Sequence, residues 1–142
     1  MADFSQLKKL DVSNETIDYH IDQIEGDAVL KLLPAAEKNK PYFNALLKKS
    51  RSRVKAIQSS KLSAAMIKEN RDEDRLLYSK YIIKGWEGIV DVNGKAVPFT
   101  EENVFDFLTA LPPWIFEEIR NYASDIQNFI ADQIDTEGIA KN

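Results

Sequence analysis

Hydrophobic and polar positions alternate in the first part of the chain, in the pattern of a β-hairpin. From Ile17 to Asp22 every second residue is apolar, which predicts a strand with one buried face and one solvated face. Glu25-Gly26-Asp27 is a turn sequence, and the apolar stretch from Ala28 to Leu33 predicts the returning strand. Before this hairpin, residues 1–15 contain three apolar residues at helical spacing and predict a short N-terminal helix.

The middle of the chain changes to helical periodicity. Pro41 suits a first helical turn, and an apolar stripe follows at Phe43, Leu46, Leu47, Val54 and Ile57. Asn70 with Glu73 resembles a capping box, which predicts that a second helix begins there and ends at Gly85. Residues 62–68 either continue the first helix or form a loop.

A second hairpin is predicted directly after Gly85. Alternation from Trp86 to Val92 indicates a strand, Asn93-Gly94 favours a two-residue turn with positive φ, and residues 95–99 return. Thr100 is the predicted N-cap of the next helix, whose apolar positions are Val104, Phe107, Leu108 and Leu111.

The last helix is predicted after Pro112-Pro113. Apolar residues from Ile115 to Phe129 recur at alternating steps of four and three, which predicts one long amphipathic C-terminal helix. The expected fold class is therefore α+β, with two β-hairpins that can join in one small antiparallel sheet and three to four α-helices. We expect one domain over residues 1–134, with 1–15 mobile, and a flexible tail at 135–142.

Composition narrows the class of protein. The 142 residues include no cysteine, which excludes disulfides and thiolate zinc sites. Neither a secretory signal nor an apolar run near 20 residues is visible, so we expect a cytoplasmic protein without a membrane partner. The net charge of −4 conceals a segregation, because residues 38–68 hold nine Lys or Arg and no acid.

The sequence gives little support for a catalytic role. The one histidine, His20, falls on the polar side of its strand, and there is no Gly-x-Ser-x-Gly motif. The carboxylate clusters fall in predicted first helical turns, where the helix dipole explains them. No metal-binding or phosphate-binding motif occurs. We therefore expect no enzyme, no catalytic or metal site and no cofactor.

The basic segment at residues 48–55 has three interpretations. It can bind nucleic acid through phosphates, it can be a solvated helix face, or it can meet an acidic patch of another copy or of a client. A solvated face is favoured over nucleic-acid binding, since no aromatic residue interleaves the basic ones and the overall charge is negative. We expect no specific nucleic-acid binding.

Aromatic residues offer a candidate for partner binding. Five of them cluster around the second hairpin and the Pro-Pro turn, and most are expected in the core: Trp86, Phe99, Phe105, Trp114 and Phe116. Trp114 follows two prolines at a helix start, which predicts a position at the edge of the domain. Phe105 lies off the main apolar stripe of its helix. The candidate partner-binding residues are Trp114, Phe105 and Phe116.

Several short segments of the sequence resemble segments found in one protein family. They are Asn39 to Ala45, Gly85-Trp86, Asp91, Asn93-Gly94, Val97-Pro98-Phe99 with the acidic helix start after it, Pro112 and Asn128-Phe129. Together they resemble the tail assembly chaperones of long-tailed bacteriophages and prophages, over most of residues 16–130.

The resemblance implies a non-enzymatic assembly factor in the host bacterial cytoplasm, with possible self-association. Its implied partners are the tape measure protein, which it would keep soluble, and the major tail tube protein, which it would help to recruit. Two alternatives stay open. One is a phage or prophage regulator that binds nucleic acid through residues 48–55, and the other is a structural tail or connector component.

Overall fold

A three-stranded antiparallel sheet lies at the centre of the computed structural model, which describes residues 3–5, 11–58 and 64–130. The strands are β1 (Ile17–His20), β2 (Val29–Leu32) and β3 (Ile83–Glu87), in the order β1-β2-β3. Because β2 is paired on both sides, its inward residues Leu30 and Leu32 are completely buried. Sheet and helices together confirm the predicted α+β class.

Between residues 11 and 130, the described part of the chain forms four α-helices that pack around the sheet. They are α1 (Lys40–Gln58), α2 (Ala64–Leu77), α3 (Glu101–Ala110) and α4 (Pro113–Ser124). A π-helical turn at Tyr78–Ile82 joins α2 to β3, and a 3₁₀ turn at Ile126–Phe129 follows α4. The core combines residues of strands, helices and both turns, with these among its most buried members: Ile21, Leu30, Leu32, Ile82, Ile83, Val104, Leu108, Ile119 and Phe129.

The first hairpin has the predicted alternation. Ile17 and Tyr19 pack against the core, whereas Asp18 and His20 are exposed. On the outer face the ammonium group of Lys31 lies 2.9 Å from the carboxylate of Asp18 on the neighbouring strand. The pairing register places Ile17 opposite Leu32 and confirms the predicted hairpin.

The predicted bounds of the second helix are wrong. α2 already includes Ala64, so Asn70 lies within the helix, and the α-helical part ends at Leu77. Gly85 ends no helix but pairs with Lys31 in the middle of β3. The open edge of β2 explains the difference, because pairing with it satisfies the backbone of residues 83–87 and buries Ile83, which outweighs the local helical spacing. Of the segment 62–68, residues 64–68 are helical, and 62–63 lie outside the described residues.

The second hairpin is present with a different turn. The amide of Gly94 donates to the carbonyl of Asp91, and Asp91 pairs with Lys95, so the loop has three residues instead of the predicted two. Gly94 has a φ of +77°, as expected for the residue that closes such a loop.

Gly88 interrupts the alternation predicted from Trp86 to Val92. Its φ of +75° bends the chain, so that Ile89 packs against the core while Val90 and Val92 are exposed. Trp86 fastens the hairpin, since its indole N–H donates to the carbonyl of Val97 over 3.1 Å. The Trp86 ring also contacts Phe107 of α3 edge-on, with 5.6 Å between ring centroids.

The start of α3 agrees with the prediction, whereas the length of the last helix does not. The Thr100 hydroxyl accepts from the amide of Asn103 at 3.0 Å, as an N-cap does. The predicted continuous helix from Ile115 to Phe129 is wrong, because α4 ends at Ser124 and Asp125 is extended. The Asp125 carboxylate accepts from the amide of Gln127, which starts the 3₁₀ turn and brings Phe129 into the core.

Parts of two predicted segments lie outside the described residues. Residues 1–2 and 6–10 of the predicted N-terminal segment and the whole predicted tail at 135–142 belong to that group. Within the described part, Val12 bridges to Ile130, and the amide of Ser13 donates to the carbonyl of Phe129 at 2.7 Å. Residues 12–13 are therefore held against the segment that follows α4.

Candidate partner-binding site

Trp114 lies at the surface, as its position after two prolines predicts. Pro113 is the first residue of α4, and Trp114 is the second. The fixed φ of proline sets the direction of the chain at this point, and Ile115 and Phe116 take the inward positions of the first turn. Trp114 is 56% exposed, whereas Ile115 and Phe116 are 3% and 4% exposed.

Phe116, the second candidate, belongs mainly to the core. Its ring meets Tyr78 edge-on, with centroids 5.6 Å apart. The guanidinium groups of Arg75 and Arg120 lie 5.6 and 5.7 Å from the same ring centroid. Phe116 is thus held between the core and two cations, and it forms the floor of the surface depression beside Trp114.

Phe105, the third candidate, does not join the other two. It is half-buried on α3, and it is absent from the residues that line the depression beside Trp114. The structure therefore brings Trp114 and Phe116 together and leaves Phe105 apart.

An open groove of about 260 Å³ lies where α2 meets the start of α4. We call it the Trp114 groove. Its lining consists of Arg71, Arg75, Pro113, Trp114, Phe116, Glu117 and Arg120. Small-molecule sites usually measure roughly 300 to 1,000 Å³. The Trp114 groove is smaller and open, which suits a side chain of a partner better than a cofactor.

Two of the three arginines of the groove have acidic neighbours. Arg75 donates to the Asp72 carboxylate at 3.0 Å, and Arg120 lies 3.0 Å from Glu117 and 3.5 Å from Asp74. Arg71 is exposed, and among the residues that the structure describes no acid pairs with it. Arg71 therefore gives this end of the groove a positive charge without an acidic partner among the described residues.

Sequence reasoning missed these arginines. Arg71 and Arg75 are four residues apart on α2, and Arg120 follows Phe116 by four residues on α4. Both spacings place the pairs on one helix face. The spacing was thus a usable signal for each helix, but it does not say that the two faces meet.

A second depression near the start of α1 has less to offer a ligand. It is lined by Lys38, Asn39, Lys84 and five other residues. Lys38 already pairs with Asp11 at 2.8 Å. The buried amide of Asn39 donates to the carbonyls of Pro34 and Tyr81, so its role is to join the loop after β2 to the π-helical turn.

The groups considered for catalysis and metal binding lie on different elements of the fold. His20 is exposed on β1, and Glu101 and Glu102 are in the first turn of α3. Within the described ranges no three residues among His, Cys, Asp and Glu are arranged to hold a metal ion. None of the helices in that part of the chain has the length and apolar character needed to cross a membrane.

The basic segment forms part of α1. Lys48, Arg51 and Lys55 are exposed, and Lys49 lies 3.7 Å from Glu73 of α2. The last contact shows that the basic helix packs beside an acidic stretch of its own chain. Some of its charge is thereby balanced within the molecule.

The fold and the groove define a small α+β protein with an aromatic and arginine-lined depression at a helix start. The family model of the YdaY prophage protein matches residues 37–142, which is more than half of the chain. The chain therefore belongs to the YdaY prophage protein family. No curated protein and no solved structure matches it.

The matched range includes all four helices, β3 and every residue of the Trp114 groove, whereas β1 and β2 precede it. Membership confirms the coarser part of the resemblance, namely a phage or prophage origin. The family description names no tail component.

Proposed function

We propose that this prophage protein is a non-enzymatic tail assembly chaperone. It binds the tape measure protein, keeps it soluble in the host cytoplasm and helps to recruit major tail tube subunits. The prophage family and the resemblance described above support the proposal. The observation that carries it is Trp114, a large aromatic side chain presented at the surface by a helix start that two prolines fix.

The physical reason for such a protein lies in its client. A long helical protein without its partner exposes apolar surface and aggregates. A small protein that binds this surface in many copies lowers the free energy of the soluble form by mass action. Self-association of the chaperone along the client is compatible with this role.

Trp114 is suited to be an anchor for the client. A Trp side chain buries on the order of 150 to 250 Å² when covered. Because Trp114 is 56% exposed, a partner can remove about half of this area from water. At about 25 cal/mol per Å² the gain is about 2 to 3 kcal/mol, which is the size of a binding hot spot.

Co-expression with the tape measure protein of the same prophage tests the proposal. The intact chain should keep the client soluble and co-purify with it in several copies. Trp114→Ala should leave the thermal unfolding midpoint nearly unchanged and weaken the complex by about thirtyfold or more. Trp86→Ala should lower both stability and binding, since Trp86 holds the second hairpin on α3.

Val92→Ala serves as the matched surface control. Val92 is fully exposed at the tip of the second hairpin and should tolerate truncation in both measurements. Failure of the intact chain to solubilise or retain the tape measure protein would overturn the proposal. Unfolding of Trp114→Ala as severe as that of Trp86→Ala would show instead that Trp114 supports the core.

A further inference from the structure

We infer that the Trp114 groove binds an acidic segment of a partner polypeptide, with a carboxylate at Arg71 and Arg75 and a neighbouring apolar side chain against Trp114. The inference names the chemistry of the client contact and in that respect rests on the proposed function. Its evidence, however, comes from the groove itself.

Uncompensated donors in the groove point to a carboxylate. Arg71 is exposed and has no acidic partner in the described part of the chain. The side chain of Arg75 is only 10% exposed, and its Nε is buried without an acceptor there. A docked carboxylate cannot reach this buried Nε, so the charge that it meets is that of the exposed Arg71, with the groove-lining Arg75 beside it on α2.

The aromatic floor holds the arginines in a useful orientation. Arg75 and Arg120 both lie near the Phe116 ring, within the range of cation–π attraction. This packing restrains the planar guanidinium groups before a partner arrives. Arg75 and Arg120 already contact acids of their own chain, so the guanidinium fork that a partner carboxylate can meet with paired hydrogen bonds, which a lysine cannot reproduce, is that of Arg71.

The space above this floor accepts one apolar side chain. The groove of about 260 Å³ has apolar walls at Pro113, Trp114 and Phe116. A client residue such as Leu or Phe next to an acid would therefore fill the volume and cover Trp114. Short acidic segments with interspersed apolar residues combine both features.

The charges favour a polypeptide over nucleic acid. The carboxylate of Glu117 is at the groove, with 56% of its side chain exposed, and would repel a chain of phosphates. An acidic peptide can place one carboxylate at Arg71 and a neutral residue beside Glu117, whereas a nucleic acid carries a phosphate at every nucleotide. Nucleic-acid binding relies on several phosphate contacts in succession, which this groove does not offer.

A peptide titration of the purified, full-length chain tests the inference without the client. The probe is an acetylated and amidated pentapeptide, Glu-Phe-Glu-Leu-Glu, added to isotope-labelled protein and followed by NMR. We expect shifts at the indole N–H of Trp114 and at the amides of residues 71–75 and 114–120. The same peptide with Gln in place of each Glu should bind at least tenfold more weakly.

Two charge reversals separate the groove from general electrostatics. Arg71→Glu should reduce affinity for the acidic peptide tenfold or more, whereas Lys95→Glu, on the exposed second hairpin, should change it less than twofold. Equal effects of both variants, or equal binding of the Gln peptide, would overturn the inference. So would tighter binding of a single-stranded oligonucleotide at the same residues, or shifts there that depend only on protein concentration and indicate a second copy.

The outcome is distinguishable from that of the proposed function. If Arg71→Glu loses the peptide but still retains the tape measure protein, the chaperone proposal stands and the groove is not the client's site. If the peptide binds as expected but the client is not retained, the chaperone proposal fails and the groove chemistry stands.

Discussion

Gly88 and Gly94 form a matched pair that tests how the second hairpin is held on the sheet. Both have positive φ, +75° and +77°, so replacement by alanine brings the same backbone strain at each position. The surroundings differ. A Cβ at Gly94 would have no atom within 4 Å, whereas one at Gly88 would lie 2.2 Å from the carbonyl oxygen of Asp27.

The magnitudes follow from this difference. At Gly94 only the left-handed conformation is penalised, which amounts to about 1 to 2 kcal/mol of unfolding free energy. At Gly88 the Asp27 backbone must also move, and it adjoins Ala28, whose carbonyl accepts from the amide of Ile21 at 3.0 Å. Losing one or two such hydrogen bonds and part of the burial of Val29 adds about 2 to 3 kcal/mol.

Urea denaturation followed by circular dichroism measures both effects. With a slope of about 2 kcal/mol per molar urea, Gly94→Ala should lower the midpoint by about 0.5 to 1 M and Gly88→Ala by about 1.5 to 2.5 M. Against a typical total stability of 5 to 15 kcal/mol, Gly94→Ala should still fold in buffer, and Gly88→Ala should do so when the total is above about 5 kcal/mol. Equal midpoint shifts would refute the close approach of Gly88 to Asp27.

Three further predictions concern single features of the chain. In gel shifts at about 0.15 M salt, residues 48–55 should give no sequence-dependent affinity for DNA or RNA; such affinity would favour the regulator. Trp86→Phe should lower the free energy of unfolding by about 1 kcal/mol, measured by urea denaturation, because the Val97 carbonyl loses its donor. Burial raises the pKa of Tyr78. The unfolded state therefore loses this proton at a lower pH than the folded state, and the free energy of unfolding should fall above about pH 10. Urea midpoints measured at rising pH should fall less steeply for Tyr78→Phe.

Features fixed by neighbouring residues could be predicted from the sequence. Thr100 caps α3 through its own hydroxyl and an amide three residues later, so both partners are visible in one short stretch. Alternation in the first hairpin is equally local, because β1 and β2 are joined by a short turn. Such signals need no knowledge of the remaining fold.

Features that depend on residues distant in the sequence could not be predicted from it. Residues 78–85 have helical spacing, yet β2, more than 40 residues earlier in the chain, takes residues 83–87 as its second neighbour. The end of α4 at Ser124 likewise depends on the burial of Phe129 and on the pairing of Val12 with Ile130. In each case tertiary burial outweighs a weak local preference.

The candidate site shows the same division between what a sequence contains and what packing adds. Residues two apart on an α-helix point about 200° apart, so Trp114 and Phe116 cannot both face solvent once α4 lies against the core. With Ile119 on the side of Phe116, this argument alone assigns Phe116 to the interior and Trp114 to the surface. Periodicity does not predict that Arg71 and Arg75 of α2 lie beside Trp114. Together these residues line the charged groove. Substitutions at Phe116 will therefore disturb folding and binding together, and only Trp114 and Arg71 can separate the two.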